Sequence, residues 1–162
     1  MQIKFNRYAG GKKKALTFSY DDGPAADYRL VEIMDTYGIR GTFHLNSANL
    51  GKENRVRLED VRSLYANHEI SLHTLTHPDL RALPDVAVIE EIQEDKKTLE
   101  ELAGYCVRGM SYPYGRYSGH LLGMLPFVGI EYSRTVEQHK TFDLPDDFLA
   151  WHPTCHHNRG AF

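Results

Sequence analysis

The hydrophobic positions of this chain fall into short runs that alternate with longer, spaced stripes. Residues 15–20, 41–45, 69–72, 107–111 and 129–134 are short apolar or aromatic runs bounded by glycine, proline or polar residues, the pattern of buried strands. Residues 148–151 predict a sixth. Between the runs the apolar residues recur with a helical period. Residues 26–37 carry Leu30, Ile33, Met34 and Tyr37, with Gly38 as the C-terminal stop. Residues 59–67 carry Val61, Leu64 and Tyr65 on one face. Residues 84–103 carry Val88, Ile89, Ile92, Leu99 and Leu102, opened by Pro84 and stopped by Gly104. Residues 118–125 predict a further helix. The first 14 residues read as a solvated lead-in ending in the basic run from Gly10 to Lys14, with a short edge strand before it. Strands alternating with helices predict βαβ units on a parallel sheet, in one domain spanning 1–162.

Composition narrows the class of function. A chain of 162 residues, 41% hydrophobic and 25% charged, is ordinary for a soluble globular domain with a real core. A net charge of -3 offers no electrostatic case for nucleic acid or an acidic membrane. No apolar run is long enough to span a bilayer. The N-terminus lacks the apolar run of a signal peptide, which points to the cytoplasm, or to the cell envelope or a secreted location if a leader has been trimmed. Cys106 and Cys155 do not make a disulfide framework and suit a reducing compartment. Oligomeric state is not legible.

The candidate chemistry sits just after the strands, at the carboxyl edge where parallel α/β folds build their sites. Asp21-Asp22-Gly23-Pro24 follows the first run. One aspartate serves to cap the helix that follows, and the second leaves a charge in need of a purpose. His73 and His77 follow the third run, four apart, on one side of a helical turn that Pro78 ends. Two histidines alone fit a polar loop better than a metal site. With one carboxylate they make a three-ligand zinc site with an open fourth position. Water in that position would have its pKa lowered toward neutrality. The remaining aspartate is then free to act as general base. The Tyr114–Gly115 turn could offer a backbone N–H to an oxyanion, and a nearby histidine could protonate the leaving group. Together these parts describe metal-assisted hydrolysis of an amide or ester.

Ser19-Tyr20-Asp21-Asp22-Gly23-Pro24 resembles the Thr-Phe-Asp-Asp-Gly-Pro motif of the polysaccharide deacetylases, carbohydrate esterase family 4. His73-Thr74-Leu75-Thr76-His77 resembles that family's His-Ser/Thr-x-x-His motif, and Tyr112-Pro113-Tyr114-Gly115 the Pro-aromatic-Gly core of its third. The resemblance implies an α/β fold, a distorted (β/α) barrel with fewer than eight strands, here incomplete at its C-terminal end. It implies Asp21 as catalytic base, with Asp22, His73 and His77 holding zinc, or else cobalt or nickel. The N–H of Tyr114 would stabilise the oxyanion. The implied partner is a carbohydrate: chitin, peptidoglycan or acetylated xylan losing its acetyl groups.

Two departures bear on the site. Ser111 stands where many members carry an arginine that orients the base, and Arg108 is the residue that could reach back. The chain ends at Phe162 without a clear copy of the family's late Leu-x-His motif. The preferred reading is truncation, with His156 or His157 as the alternative acid. On an extended segment these two would point to opposite faces, one to the rim and one to solvent. Trp151 and Tyr114 are candidate sugar platforms, though buried aromatics are more often core. His44, His68, His120 and His139 read as structural or surface residues, with His44 in a strand as the exception to watch. Competing functions are a carbohydrate-binding relic without turnover and a different metal-dependent amidohydrolase.

Overall fold

The computed structural model describes residues 8–159, so the edge strand expected before Gly10 lies outside the described residues. Five strands form one parallel sheet in sequence order: β1 (Phe18–Asp21), β2 (Gly41–Leu45), β3 (Glu69–Leu72), β4 (Gly109–Ser111) and β5 (Tyr132–Arg134). Alternation splits each strand between two faces. Phe43, Leu45, Ile70, Leu72 and Met110 belong to the apolar core. The opposite face carries Ser19, Asp21, His44, Ser71, Ser111 and Arg134. Register sets Asp21 opposite His44 and His44 opposite Ser71, and two residues further toward the carboxyl edge Ser111 opposite Arg134.

This polar face shows how strongly the sheet curls. Four strand spacings of about 4.8 Å would hold β1 and β5 roughly 19 Å apart in a flat sheet. Arg134 on β5 nevertheless forms an ion pair with Asp21 on β1. The sheet is therefore the wall of a partial barrel whose interior is polar.

Several strands are shorter than their apolar runs. β1 starts at Phe18 and is only partly buried, because it is an edge strand, and Leu16 before it is exposed. The sixth strand reduces to a single parallel bridge between Trp151 and Arg134. The residues before it turn instead: the Asp147 carboxylate accepts the Leu149 N–H at 2.8 Å and starts a 3-10 turn, Phe148–Ala150. Pro153 has no N–H with which to extend the pairing.

The helices α1 (Asp27–Thr36), α2 (Val61–Leu64), α3 (Asp85–Ala103) and α4 (Gly119–Met124) fill the connections. α3 matches its expected span, and Gly104 ends it in the left-handed conformation at φ 82. Its buried stripe is Val88, Ile92, Asp95 and Leu99, so one carboxylate occupies an apolar position. α2 is a single turn, because residues 58–60 form a 3-10 turn and the α geometry ends at Leu64. α1 buries Asp27, Val31 and Met34, whereas Ile33 and Tyr37, expected inside, are exposed. Among the described residues no helix is long and apolar enough to cross a membrane.

The rotation of α1 follows from Asp27, whose carboxylate accepts a 2.7 Å hydrogen bond from the buried Tyr65 hydroxyl. Burial pushes its pKa up to about 6 against that bond. The unfolded value is about 3.9, so the native state prefers the protonated form. Stability from this group is fully present below about pH 4 and is lost as pH rises through 6. Asp27→Asn should therefore gain on the wild type between pH 4 and 7.5, by up to about 3 kcal/mol. Urea midpoints at both pH values check this, and an equal difference at the two would contradict it.

Candidate active site

Three segments converge at the carboxyl ends of β1, β3 and β4. Asp22 follows β1 in a left-handed conformation at φ 75. Its N–H donates to the His44 carbonyl (2.9 Å), and its own carbonyl accepts from Arg55 Nη1 (2.7 Å). His73 follows β3 and is buried, its N–H donating to the Leu45 carbonyl at 2.9 Å. His73 Nδ1 lies 2.9 Å from the Ser111 carbonyl and 2.7 Å from Ser111 Oγ. A carbonyl only accepts, so Nδ1 carries the proton and the Nε2 lone pair is left free for a metal.

The expected helical turn between the histidines does not form. Thr74 and His77 both adopt φ 67, and the segment is a loop. Asn46 Nδ2 donates to the carbonyls of His73 and Thr74, and the His77 N–H donates to Thr74 Oγ1 at 3.2 Å. The loop achieves what the helix was to do: the two imidazoles meet edge to face, 4.7 Å between centroids. One ligand atom each from Asp22, His73 and His77 lies within 4.8 Å of the others. These residue types and this spread fit a zinc-like cation, with Nε2 of His77 3.9 Å from Asp22 Oδ1. Among the described non-glycine residues with positive φ, Asp22, Thr74, His77 and Tyr114 all stand in this rim. Strain of that kind collects where surrounding structure holds it for a purpose.

Asp21 faces the barrel interior beside the triad. Arg134 Nη2 donates to both its carboxylate oxygens, and Ser111 Oγ donates to Oδ1 at 3.0 Å. Burial works to raise its pKa, but Arg134, with His73 and His44 behind it, holds the carboxyl well below the usual carboxylate range. Burial pushes His44 down to about 3 and lowers His73 as well, so both rings are neutral near pH 7. Arg108 does not reach back to the base: it pairs with Glu131 at 3.4 Å on the surface. Asp95, wholly buried, accepts the N–H groups of Ser47 (2.7 Å) and His73 (3.3 Å), and burial raises its pKa to about 7. Asp95 and Arg134 were not singled out as site residues from sequence. Asp95 had a signal, a carboxylate in register with an apolar helical stripe.

In the third motif Tyr112 is buried, its hydroxyl donating to the Leu149 carbonyl at 2.8 Å. Tyr114 stands at φ 59, 58% exposed, with its ring edge-to-face against His77 at 4.6 Å between centroids and the Arg116 guanidinium 5.4 Å from its centroid. Gly115 follows at φ 67, and a Cβ there would meet Val136 at 2.2 Å. Gly115→Ala should thus displace either Val136 or the Tyr114 turn and cost about 1–3 kcal/mol. A denaturation midpoint equal to wild type would refute that.

Other candidates separate from the site. Trp151 is half-buried and makes edge contacts with Phe148 and Tyr132 outside the apolar core. His156 and His157 do not point to opposite faces. Both are exposed and stack at 4.7 Å, because a 3-10 turn begins at His157. His157 lies 5.7 Å from Tyr20, on the face of β1 opposite Asp21. Glu137, His139 and His152 also bring ligand atoms within 4.8 Å. There, however, the imidazoles lie stacked at 4.0 Å, so their in-plane lone pairs run side by side, and His152 Nδ1 is engaged by Thr135 Oγ1 at 2.7 Å.

A family model described as polysaccharide deacetylase matches residues 9–133. A probable peptidoglycan-N-acetylglucosamine deacetylase of Arthroderma benhamiae is 31% identical over 109 residues, 65% of this chain and 25% of that protein. A chitin deacetylase of Pestalotiopsis is 29% identical over 119 residues, 73% of this chain and 39% of its own length. The chain thus spans between a quarter and two fifths of these relatives. Among solved structures, the Streptococcus pyogenes deacetylase PplD in complex with acetate aligns with a TM-score of 0.80 at 17% identity, over 92% of this chain and 66% of that one. A family 4 carbohydrate esterase from Streptomyces lividans in complex with acetate aligns at 0.64 and 18%, over 77% of this chain and 64% of that one. At such identities the structural likeness concerns the fold.

Proposed function

The chain belongs to the polysaccharide deacetylase family, and on that footing we propose that it hydrolyses acetyl groups from an acetylated carbohydrate. The reading rests chiefly on one observation: three ligand atoms, from Asp22, His73 and His77, gather within 4.8 Å of one another beside the ionised Asp21. Asp22, His73 and His77 would hold a divalent cation, zinc by donor type, with cobalt and nickel as alternatives. When bound, such an ion supplies Lewis acidity toward water and carbonyl oxygen. Asp21 is the general base. Its contact with Arg134 keeps it ionised, and Ser111 aims Oδ1 along the row that also holds His73. The Tyr114 N–H is the oxyanion donor, held at a left-handed turn that Gly115 makes possible. The exposed Tyr114 ring above His77 offers a stacking face to a sugar. His156 and His157 lie on the wrong side of β1 for the leaving-group acid.

Relatives named for chitin and for peptidoglycan N-acetylglucosamine support an N-acetylated amino sugar as substrate. Acetate release from chitin oligosaccharides, peptidoglycan fragments, acetylated xylan and small non-sugar amides tests this. The amino sugars should lead by at least about tenfold, the size of effect one or two well-placed contacts confer. Preference for the non-sugar amides would move the chain to another amidohydrolase activity. Binding of oligosaccharide without acetate from any of them would make it a carbohydrate-binding relic.

A further inference from the structure

The loop that carries both histidines is held from one side by two carboxylates of α3. Asp95 grips its start: Oδ2 accepts the His73 N–H at 3.3 Å, while Oδ1 accepts the Ser47 N–H at 2.7 Å. Glu91, one helical turn earlier on the same face, grips its far end. Its Oε2 accepts the Thr76 N–H at 2.9 Å and its Oε1 the Thr76 hydroxyl at 2.6 Å. The two ends differ in what else secures them. The N–H of His73 also donates to the Leu45 carbonyl, and its ring is fixed by Ser111. The N–H of His77 donates only to Thr74 Oγ1, a partner inside the same loop. Among the described residues, the hydrogen bonds that tie residues 76 and 77 to the rest of the fold both come from the Glu91 carboxylate.

We infer that Glu91 is the positioning residue of the ligand His77. Three observations carry this. Thr74 and His77 both stand at φ 67, and a left-handed conformation at such residues persists only where the surroundings over-determine it. Asp22 is pinned through its main chain by the His44 carbonyl and Arg55, and His73 by β2 and Ser111, so His77 is the ligand whose place the scaffold fixes least. Glu91 supplies what is missing: a carboxylate that takes both the amide and the hydroxyl of the residue just before His77. It does so from a helix whose Val88, Ile92 and Leu99 are buried in the core, so the anchor itself does not move. A site binds its ion more weakly in proportion as fewer metal-free molecules have every ligand in place. Glu91 touches no ligand and acts through Thr76. The inference rests on the deacetylase reading for the purpose of the ion, though not for the loop that would hold it.

The test is calorimetric titration with zinc of wild type, Glu91→Gln, Glu91→Asp and Glu91→Ala, which separates reach from charge. Glu91→Gln keeps the reach: its amide oxygen accepts the Thr76 N–H and its NH₂ donates to the Thr76 hydroxyl. Glu91→Asp keeps the charge and is one methylene too short. Positioning predicts zinc binding close to wild type in Glu91→Gln and weaker by about 10–100-fold in Glu91→Asp and Glu91→Ala, the usual worth of a contact that orients a metal ligand. Amide hydrogen exchange in the metal-free protein should quicken at Thr76 and His77 in the same two variants and not in Glu91→Gln. Acetate release from a soluble chitin oligosaccharide at limiting zinc should fall with affinity and be recovered by excess zinc. Affinity that follows charge instead, with Glu91→Asp close to wild type and Glu91→Gln weakened, would overturn the proposal, as would unchanged affinity in Glu91→Ala. If Glu91→Ala does not fold, the other two variants decide by their order. A wild type that binds zinc and releases no acetate defeats the deacetylase reading, and the order of affinities still decides whether Glu91 places His77.

Discussion

Asp21→Asn is expected to lower kcat for acetate release by about 10²–10⁴-fold, the usual worth of a positioned general base, while about one metal per chain stays bound. The substitution is nearly isosteric. An asparagine carbonyl can still accept from Ser111 Oγ and Arg134, so the row of hydrogen bonds keeps its shape. What disappears is the ability to take a proton. Metal retention follows from the backbone: Asp21 ends β1 and faces the interior, whereas Asp22 turns at φ 75 and presents its carboxylate to His77. Metal content by elemental analysis beside kcat checks both halves. Loss of metal in Asp21→Asn would reverse the division of labour between the two aspartates.

His77→Ala should weaken zinc binding by well over 100-fold and remove acetate release with it, because losing a ligand costs more than the roughly 10–100-fold loss of a supporting contact. His77 is preferable to His73 for this purpose. His73 is buried with its Nδ1 proton given to the Ser111 carbonyl, so its removal leaves a cavity and an unpaired acceptor. His77 is partly exposed and sits in a loop, so the metal-free melting temperature should move little. Calorimetric titration with zinc gives the affinity. Zinc binding as tight as in wild type would remove His77 from the ligand set.

Much of this site was legible in the chain because its chemistry is local. Asp21-Asp22-Gly23-Pro24 and His73 with His77 each lie within a few residues of a strand end, and alternating strands and helices bring those ends to one rim. α3 was legible because Pro84 and Gly104 punctuate a long amphipathic stripe. The loop that unites the histidines was not, since spacing of four describes a helix and says nothing of left-handed turns at Thr74 and His77. The partner of Asp21 was hidden by distance along the chain: Arg134 is 113 residues away, and only the curl of the sheet brings them together. A signal existed, however. Arg134 is the one charged side chain closing the fifth apolar run, at the same edge as every other candidate. The polar interior was also not legible, because the runs are too short for their alternation to mark Ser19, His44, Ser71 and Ser111 as one barrel wall.

The most direct test of the central claim compares acetate release from a chitin oligosaccharide by chelator-stripped protein and by the same protein reloaded with zinc. The account predicts no release above background from the stripped protein and full recovery at about one zinc per chain. Release that persists without metal, or one bound zinc with no release from any acetylated sugar, would contradict it.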